Sequence, residues 1–115
     1  MLIDLPFPAK ALWPNGRAHW GTKSTATAKH RAWAAIATRE VMDRFGLHPG
    51  PAPIPVTIHV YPKPRGPKPD ADNCIAAAKS SLDGIADALG INDRDFAAPK
   101  VVFGPREGRF VIEVG

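Results

Sequence analysis

Residues 54–89, IPVTIHVYPKPRGPKPDADNCIAAAKSSLDGIADAL, contain the patterns that decide the fold. A strand is predicted over Ile54–Tyr61, because from residue 56 onwards apolar side chains alternate with polar or aromatic ones, which is the period of a half-buried β-strand. Four prolines in residues 62–69 then favour an extended, basic connector, because proline fixes φ and disfavours helix in the residue before it. Apolar residues next recur at helical spacing, namely Ile75, Ala78, Leu82, Ile85, Ala86 and Leu89. The stretch therefore predicts a strand, a stiff loop and a helix.

The segment before this stretch predicts one strand and one helix. Met1–Leu5 reads as a short strand that is followed by two closely spaced prolines. Residues 25–45 place apolar side chains at roughly helical spacing. Ser24 or Thr25 is the expected N-cap of this helix, and Gly46 is its expected end.

The segment after it predicts two more strands. Residues 101–103 and 110–114 are apolar runs separated by a turn, so we expect the chain to end in a hairpin. The resulting order is β-α-β-α-β-β. It predicts an α+β fold in one small domain, residues 1–115, with two helices packed on a mixed sheet.

The composition restricts the cellular setting and the kinds of site. The only cysteine, Cys74, excludes an internal disulfide and a cysteine-cluster zinc site. No apolar run approaches the ~20 residues of a membrane-spanning helix. Met1–Lys10 also lacks the basic segment and apolar segment of a signal peptide. These features predict a cytoplasmic protein without a membrane segment.

The charges are unevenly distributed along a chain whose net charge is +4. Six of the 11 acidic residues lie between Asp70 and Asp95, a window with only two basic residues. The remaining, basic part would attract a polyanion by releasing its counterions. The acidic window would repel the same polyanion unless a cation neutralised it. This arrangement suits a metal-dependent nuclease, although an ordinary solvated acidic helix produces the same pattern.

The acidic window begins with Asp70-Ala-Asp72-Asn73, placed between the strand and the second helix. Two carboxylates at this spacing can approach one side of a cation, and hard oxygen ligands suit magnesium or manganese. A calcium-binding loop is excluded, because Cys74 and Ile75 occupy positions that need an oxygen ligand and a glycine. The competing interpretation is helix capping by Asp72 or Asn73, in a helix that would end at Gly90.

The second helix places further charged residues on the same stripe as Asp72. Ala76, Lys79 and Asp83 follow it at helical intervals. Lys79 can pair with Asp83, or it can extend towards the first two aspartates and stabilise a phosphate. Asp93 follows at the far end of the helix and can join them only if the chain turns back.

Aromatic and histidine side chains complete the set of candidates. Core packing is the competing explanation for Trp13, Trp20 and Trp33, and it is strongest for Trp33. His30, His48 and His59 have no spacing typical of a metal site and are interpreted as structural.

The sequence resembles the RusA-type Holliday junction resolvases of bacteria and their prophages over nearly its whole length. The matching segments are Leu5–Pro8, the basic loop with Asn15 and Arg17, Pro69–Asn73, Lys79–Ile85 and Ile91–Asp93. The resemblance implies a homodimeric, magnesium-dependent endonuclease, with Mn²⁺ as a substitute ion, that cuts four-way DNA junctions in recombination and repair. It assigns the metal ligands to Asp70, Asp72 and Asp93.

Two positions depart from the family pattern. The family lysine commonly stands four residues after the second aspartate, where this chain has Ala76. Alignment of Lys79 with that catalytic lysine requires a few extra residues in the helix. The residue before the third aspartate is often acidic in the family but is Asn92 here, and Asp95 is a possible replacement ligand.

The resemblance also implies how DNA would be held. The expected phosphate contacts are Arg17, Lys23, Lys63, Arg65 and Lys68, none of which would read sequence. His19 or Trp20 would stack or insert at the branch point. Two alternatives stay open: a catalytically inactive phage DNA-binding protein with a regulatory role, which does not need the aspartates, and a magnesium-dependent nucleotide phosphohydrolase, which does not need the basic loops.

Overall fold

Four strands form one mixed sheet in the computed structural model, which describes residues 1–14 and 19–115. Their bounds are Leu2–Pro6 for β1, Val56–Tyr61 for β2, Lys100–Phe103 for β3 and Arg109–Val114 for β4. The spatial order is β1-β4-β2-β3. β4 is antiparallel to both of its neighbours, whereas β3 is parallel to β2. The predicted strand at the centre of residues 54–61 is confirmed, and its residues alternate between buried and half-buried.

The predicted terminal hairpin is wrong, because β3 and β4 are not neighbours. The connection after Phe103 crosses the end of β2: the Gly104 N–H donates to the Val60 carbonyl at 2.9 Å, and the Gly108 N–H donates to the Tyr61 carbonyl at 3.0 Å. β4 takes a central place because its three inward side chains are fully buried, whereas every side chain of the short β3 keeps some exposure. An edge position tolerates that exposure.

The first helix, α1, covers Trp20–Phe45 and begins five residues before the predicted start. His19 is its N-cap, and its Nδ1 accepts a hydrogen bond from the Gly21 N–H at 3.1 Å. Ser24 and Thr25 lie inside the helix, so their expected capping role is wrong. Gly46 ends α1 with φ of 62°, as predicted for a residue in the left-handed region.

The second predicted helix is divided into two segments, α2 over Ala71–Ala77 and α3 over Lys79–Leu89. At the break, the Ala78 N–H donates to the carbonyls of both Cys74 and Ile75, at 3.0 and 3.2 Å. Asp70 occupies the N-cap position of α2, and its side chain makes no capping hydrogen bond. The predicted caps Asp72 and Asn73 are therefore wrong. Gly90 ends α3 as predicted.

The helices cover one face of the sheet and confirm the α+β class, with three α-helices among the described residues where two were predicted. α1 and α3 approach so closely that a Cβ at Gly84 would lie 2.1 Å from the Arg31 carbonyl oxygen. Ile58, Ile85 and Ile112 are fully buried at the centre of this layered core. Trp33 is 42% exposed, so its predicted core position is wrong. The surface of α1 accommodates this ring because the small side chains beside it, such as Ala34 and Ala35, make the core contact instead.

In the part of the chain that the structure describes, no helix combines the length and the apolar character needed to cross a membrane.

Candidate functional site

The Lys79 ammonium group contacts two carboxylates. Lys79 is the first residue of α3, and its Nζ donates to Asp83 Oδ1 and to Asp93 Oδ2, both at 2.7 Å. The hydrogen bonds that Lys79 donates to these two carboxylates raise its pKa. The same contact with Lys79 lowers the pKa of Asp93. The contact with Asp83 was predicted from the helix stripe, whereas the contact with Asp93 takes the place of the predicted alternative towards Asp70 and Asp72.

The chain turns back after α3, which is how Asp93 reaches Lys79. A 3₁₀ turn follows Gly90 and covers Asp93–Asp95. Asn92 Oδ1 accepts from the Arg94 N–H, and Asp95 Oδ2 accepts from the Asn92 N–H, both at 3.1 Å. This reciprocal capping fixes the turn, because it satisfies backbone donors at the start of the turn. One carboxylate oxygen of Asp95 is therefore committed to the backbone instead of being free for a ligand.

A second ion pair borders this site. Arg31 of α1 makes a bidentate contact with Asp87 of α3, with N–O distances of 2.7 and 2.8 Å. The hydrogen bond from Arg31 lowers the pKa of Asp87. Both residues line a cavity of about 380 Å³, together with Lys79, Asp83 and Asp93, and we call it the acidic cavity. Sequence analysis missed Arg31, because the two partners lie 56 residues apart and share no pattern.

Asp70 and Asp72 are exposed at the start of α2. Asp72 lies seven residues before Lys79, on the other side of the break at Ala78. Within residues 1–14 and 19–115, no three histidine, cysteine, aspartate or glutamate side chains are close enough together to hold a metal ion. Carboxylates are the donors that Mg²⁺ prefers. The donor chemistry therefore fits the ion, while the structure brings Asp93 to Lys79 and Asp83 and does not gather all three predicted ligands.

The predicted DNA contacts on α1 lie beside the acidic cavity. Lys23 lines a neighbouring cavity of about 350 Å³ together with Lys79 and Asp83. It also lines a shallow cavity of about 420 Å³ with Trp20 and Arg31. Trp20 is 81% exposed. This stretch of α1 therefore presents an aromatic ring and two cations next to Lys79. The Nδ1 atom of His19 is already used to cap the helix. Arg17 lies outside the described residues.

The predicted basic loop is held in place by a residue that the sequence did not single out. Arg106, from the connection between β3 and β4, donates to the carbonyls of Lys63 and Gly66, both at 2.9 Å. The Lys68 ammonium lies 4.4 Å from the centre of the Phe103 ring, a favourable cation–π distance. Arg65 and Lys63 line a separate cleft. The loop cations are thus positioned by the scaffold instead of being spread along a free chain.

Two features argue against other kinds of active site, namely a cysteine nucleophile and a carboxylate site in a second cavity. Cys74 is fully buried, and burial raises the pKa of its thiol to about 11, so it is protonated at neutral pH and unsuited to nucleophilic attack. A larger cavity, about 760 Å³, lies between β1 and α1 beside Phe7, His30 and Trp33. No carboxylate is among the described residues that line it. His30 is buried and accepts a hydrogen bond from the Ala9 N–H, as expected for a structural histidine.

Comparison with known proteins identifies a relative without assigning an activity. No family model matches the chain. A protein of Xylella fastidiosa (strain Temecula1 / ATCC 700964), described as an uncharacterized protein, is 38% identical over 100 residues, which are 87% of this chain. The chain spans 65% of the length of that relative.

Proposed function

We propose that the chain is a magnesium-dependent endodeoxyribonuclease that cuts four-way DNA junctions, in the manner of the RusA-type resolvases. The observation that carries this proposal is the contact between Lys79 Nζ and Asp93 Oδ2 at 2.7 Å. In the resemblance, these residues are the catalytic lysine and the third metal ligand. They are 14 residues apart in the chain, and they meet at the start of α3, seven residues after Asp72.

The break at Ala78 supports the alignment of Lys79 with the family lysine. The extra residues that this alignment requires fall between Asp72 and Lys79, and the break lies in the same interval. Four residues advance a regular helix by about 400° and seven by about 700°, so either spacing returns a side chain to within about 40° of its starting face. The extra residues would therefore keep the lysine on the site's side.

The residues would divide the work by their chemistry. Asp70, Asp72 and Asp93 would hold Mg²⁺, or Mn²⁺ in its place, and the bound ion would supply an activated water and charge stabilisation at the phosphate. Lys79 keeps Asp93 ionised while the site is empty of substrate. It would turn from Asp93 to the scissile phosphate when DNA binds.

Binding of the branched substrate would use the cations around the site. Trp20 and Lys23 on α1 border the acidic cavity, and Lys63, Arg65 and Lys68 extend the basic surface along the loop before Asp70. Non-specific phosphate contacts of this type hold a duplex without reading its sequence. Symmetric cutting needs two sites, so we propose a homodimer. We also propose a cytoplasmic location, where such a junction would be met.

Cleavage of a synthetic four-way junction tests the proposal. The protein is incubated with the junction, a linear duplex of the same arm sequence or a nucleotide, with Mg²⁺ or with EDTA. The expected result is paired nicking of the junction only, and only with Mg²⁺. Junction binding without nicking would contradict the proposal in favour of a DNA-binding protein. Release of phosphate from the nucleotide alone would contradict it in favour of a phosphohydrolase.

A further inference from the structure

A small cleft between the basic loop and the start of the chain is lined by Phe7, Lys10, Trp13, Lys63 and Arg65, and we call it the aromatic cleft. Its volume is about 260 Å³. Pro69, the residue before Asp70, also lines the cleft. Phe7, Lys10 and Trp13 have no role in the function proposed above.

The two rings of the aromatic cleft are fixed by the core. Phe7 and Trp13 stack with centroids 5.3 Å apart and ring planes inclined by 23°. Each ring also meets Phe110 edge-to-face, at 5.3 and 6.0 Å. The Trp13 indole N–H donates to the Pro8 carbonyl at 3.1 Å. A ligand would thus meet an aromatic surface that is already ordered, which lowers the entropic cost of binding.

The charges of the aromatic cleft are of one sign. Three of its lining residues, Lys10, Lys63 and Arg65, are cations, and no carboxylate is among the described residues that line it. The Lys63 ammonium lies 5.4 Å from the centre of the Phe7 ring. The loop carbonyls of Lys63 and Gly66 already accept hydrogen bonds from Arg106. The cleft is therefore suited to an anion that also carries a flat ring.

We propose that the aromatic cleft binds one unpaired nucleotide of a DNA strand, with the base against Phe7 and Trp13 and the phosphate on the cations. Proteins that bind single strands combine these two elements, and stacking on an aromatic ring accepts any base. The volume is below the roughly 300 Å³ at which pockets for larger organic ligands begin. It suits a single base better than a dinucleotide.

This inference rests on the proposed function, because it names the substrate feature that would be held beside the metal ligands. A branch point is where a base can leave its partner and enter such a cleft. The cleft and the acidic cavity are nevertheless lined by different residues. Binding in the cleft can therefore be measured without any cleavage, and failure of one proposal is distinguishable from failure of the other.

Nuclear magnetic resonance of the tryptophan indole N–H groups tests the inference. The ¹⁵N-labelled chain is titrated in EDTA with a hexamer of single-stranded oligothymidylate, and the Trp13 signal is identified by its loss in Trp13→Phe. We expect a saturable shift of the Trp13 signal and an unchanged Trp33 signal. An unmoved Trp13 signal would overturn the inference. An equal shift with inorganic phosphate, or with a fully paired hairpin, would also overturn it.

Lysine variants give a second, independent measurement of affinity for the same oligonucleotide. We expect Lys10→Ala and Lys63→Ala each to reduce the slope of log affinity against log salt by about 0.7, as for one lost phosphate contact on a single strand. Lys29→Ala is the matched control, since its ammonium also lies 5.4 Å from an aromatic ring, that of Trp33, but outside the cleft. Equal slopes in all three variants would overturn the inference.

Discussion

The acidic cavity and the aromatic cleft are two small depressions with opposite charge. In the acidic cavity, Lys79 and Arg31 are each held by carboxylates at 2.7 Å. In the aromatic cleft, Lys63 faces the Phe7 ring, and no carboxylate is among the described residues of the lining. A cation that is already neutralised adds little attraction for a phosphate, whereas a cation beside a ring keeps its charge available. In the functions proposed above, the first region would carry the chemistry and the second would hold the strand.

Loss of one carboxylate at the start of α2 is expected to have the largest effect. Asp72→Asn should reduce Mg²⁺-dependent junction cleavage by at least about 100-fold, since even outer partners of a metal ligand can matter that much. Junction binding should persist or strengthen, because a repulsive charge is removed.

Parallel cleavage and gel-shift assays measure the two properties, with the exposed Asp43→Asn on α1 as the control. If Asp72→Asn lost binding and cleavage together, Asp72 would be a structural residue, and the assignment of chemistry to this region would fail.

The thiol of Cys74 reports whether the helix that carries Asp70 and Asp72 stays packed. Burial, followed by the charge of Asp70, raises the pKa of Cys74 from 9.0 to about 11. At pH 8 the thiolate fraction, and with it the alkylation rate, should be about 100-fold lower than in the unfolded chain. Mass spectrometry after timed iodoacetamide treatment measures the rate. Rapid alkylation of the folded protein would mean that α2 opens readily.

Gly84→Ala should disturb the contact between α1 and α3, whose residues line the acidic cavity, and leave the aromatic cleft unchanged. The added methyl group would lie 2.1 Å from the Arg31 carbonyl oxygen, so α1 and α3 must move apart. We expect a loss of about 2 kcal/mol in the free energy of unfolding, typical of overpacking in a core. Urea denaturation measures it, and Gly50→Ala, with no atom within 4 Å of the new methyl group, is the control. Equal stability of both variants would contradict the close helix contact.

Arg31→Gln should have the smallest effect, because both partners of the ion pair are largely exposed. The folded-state pKa of Asp87 is lowered by Arg31, so the pair stabilises the fold above the carboxyl's ordinary pKa of 3.8. That contribution disappears as the pH falls through the lowered value. The melting temperature of the variant should therefore lie slightly below that of the wild type at pH 7 and converge with it at strongly acidic pH. A difference that grew on acidification would contradict the ion pair.

The parts of the fold that follow from local chemistry were predictable from sequence. The alternation around Ile58 gave a strand, and glycines at 46 and 90 ended the helices where expected. The place of β4 between β1 and β2 was not predictable, because its alternating side chains satisfy a hairpin and a central strand equally well. The position of Trp33 was predicted wrongly for a related reason. An alanine-rich helix has several faces whose side chains are small enough to pack against the core.

The candidate site likewise has contacts that the sequence predicted and contacts that it did not. The spacing of Lys79 and Asp83 predicted their pair, and the structure confirms it. The contact of Lys79 with Asp93 depends on the turn after α3, and neighbouring residues alone did not indicate its direction. The bidentate pair of Arg31 with Asp87 depends on which faces of two helices meet, which is decided by packing around Gly84.

The convergence of the three aspartates on one ion is the central claim, and anomalous scattering from a crystal grown with Mn²⁺ tests it most directly. We predict a manganese peak ligated by Asp70, Asp72 and Asp93, with the Lys79 ammonium displaced from Asp93. A crystal without a peak at these carboxylates, or with Asp93 still bound to Lys79 while manganese binds elsewhere, would contradict the account.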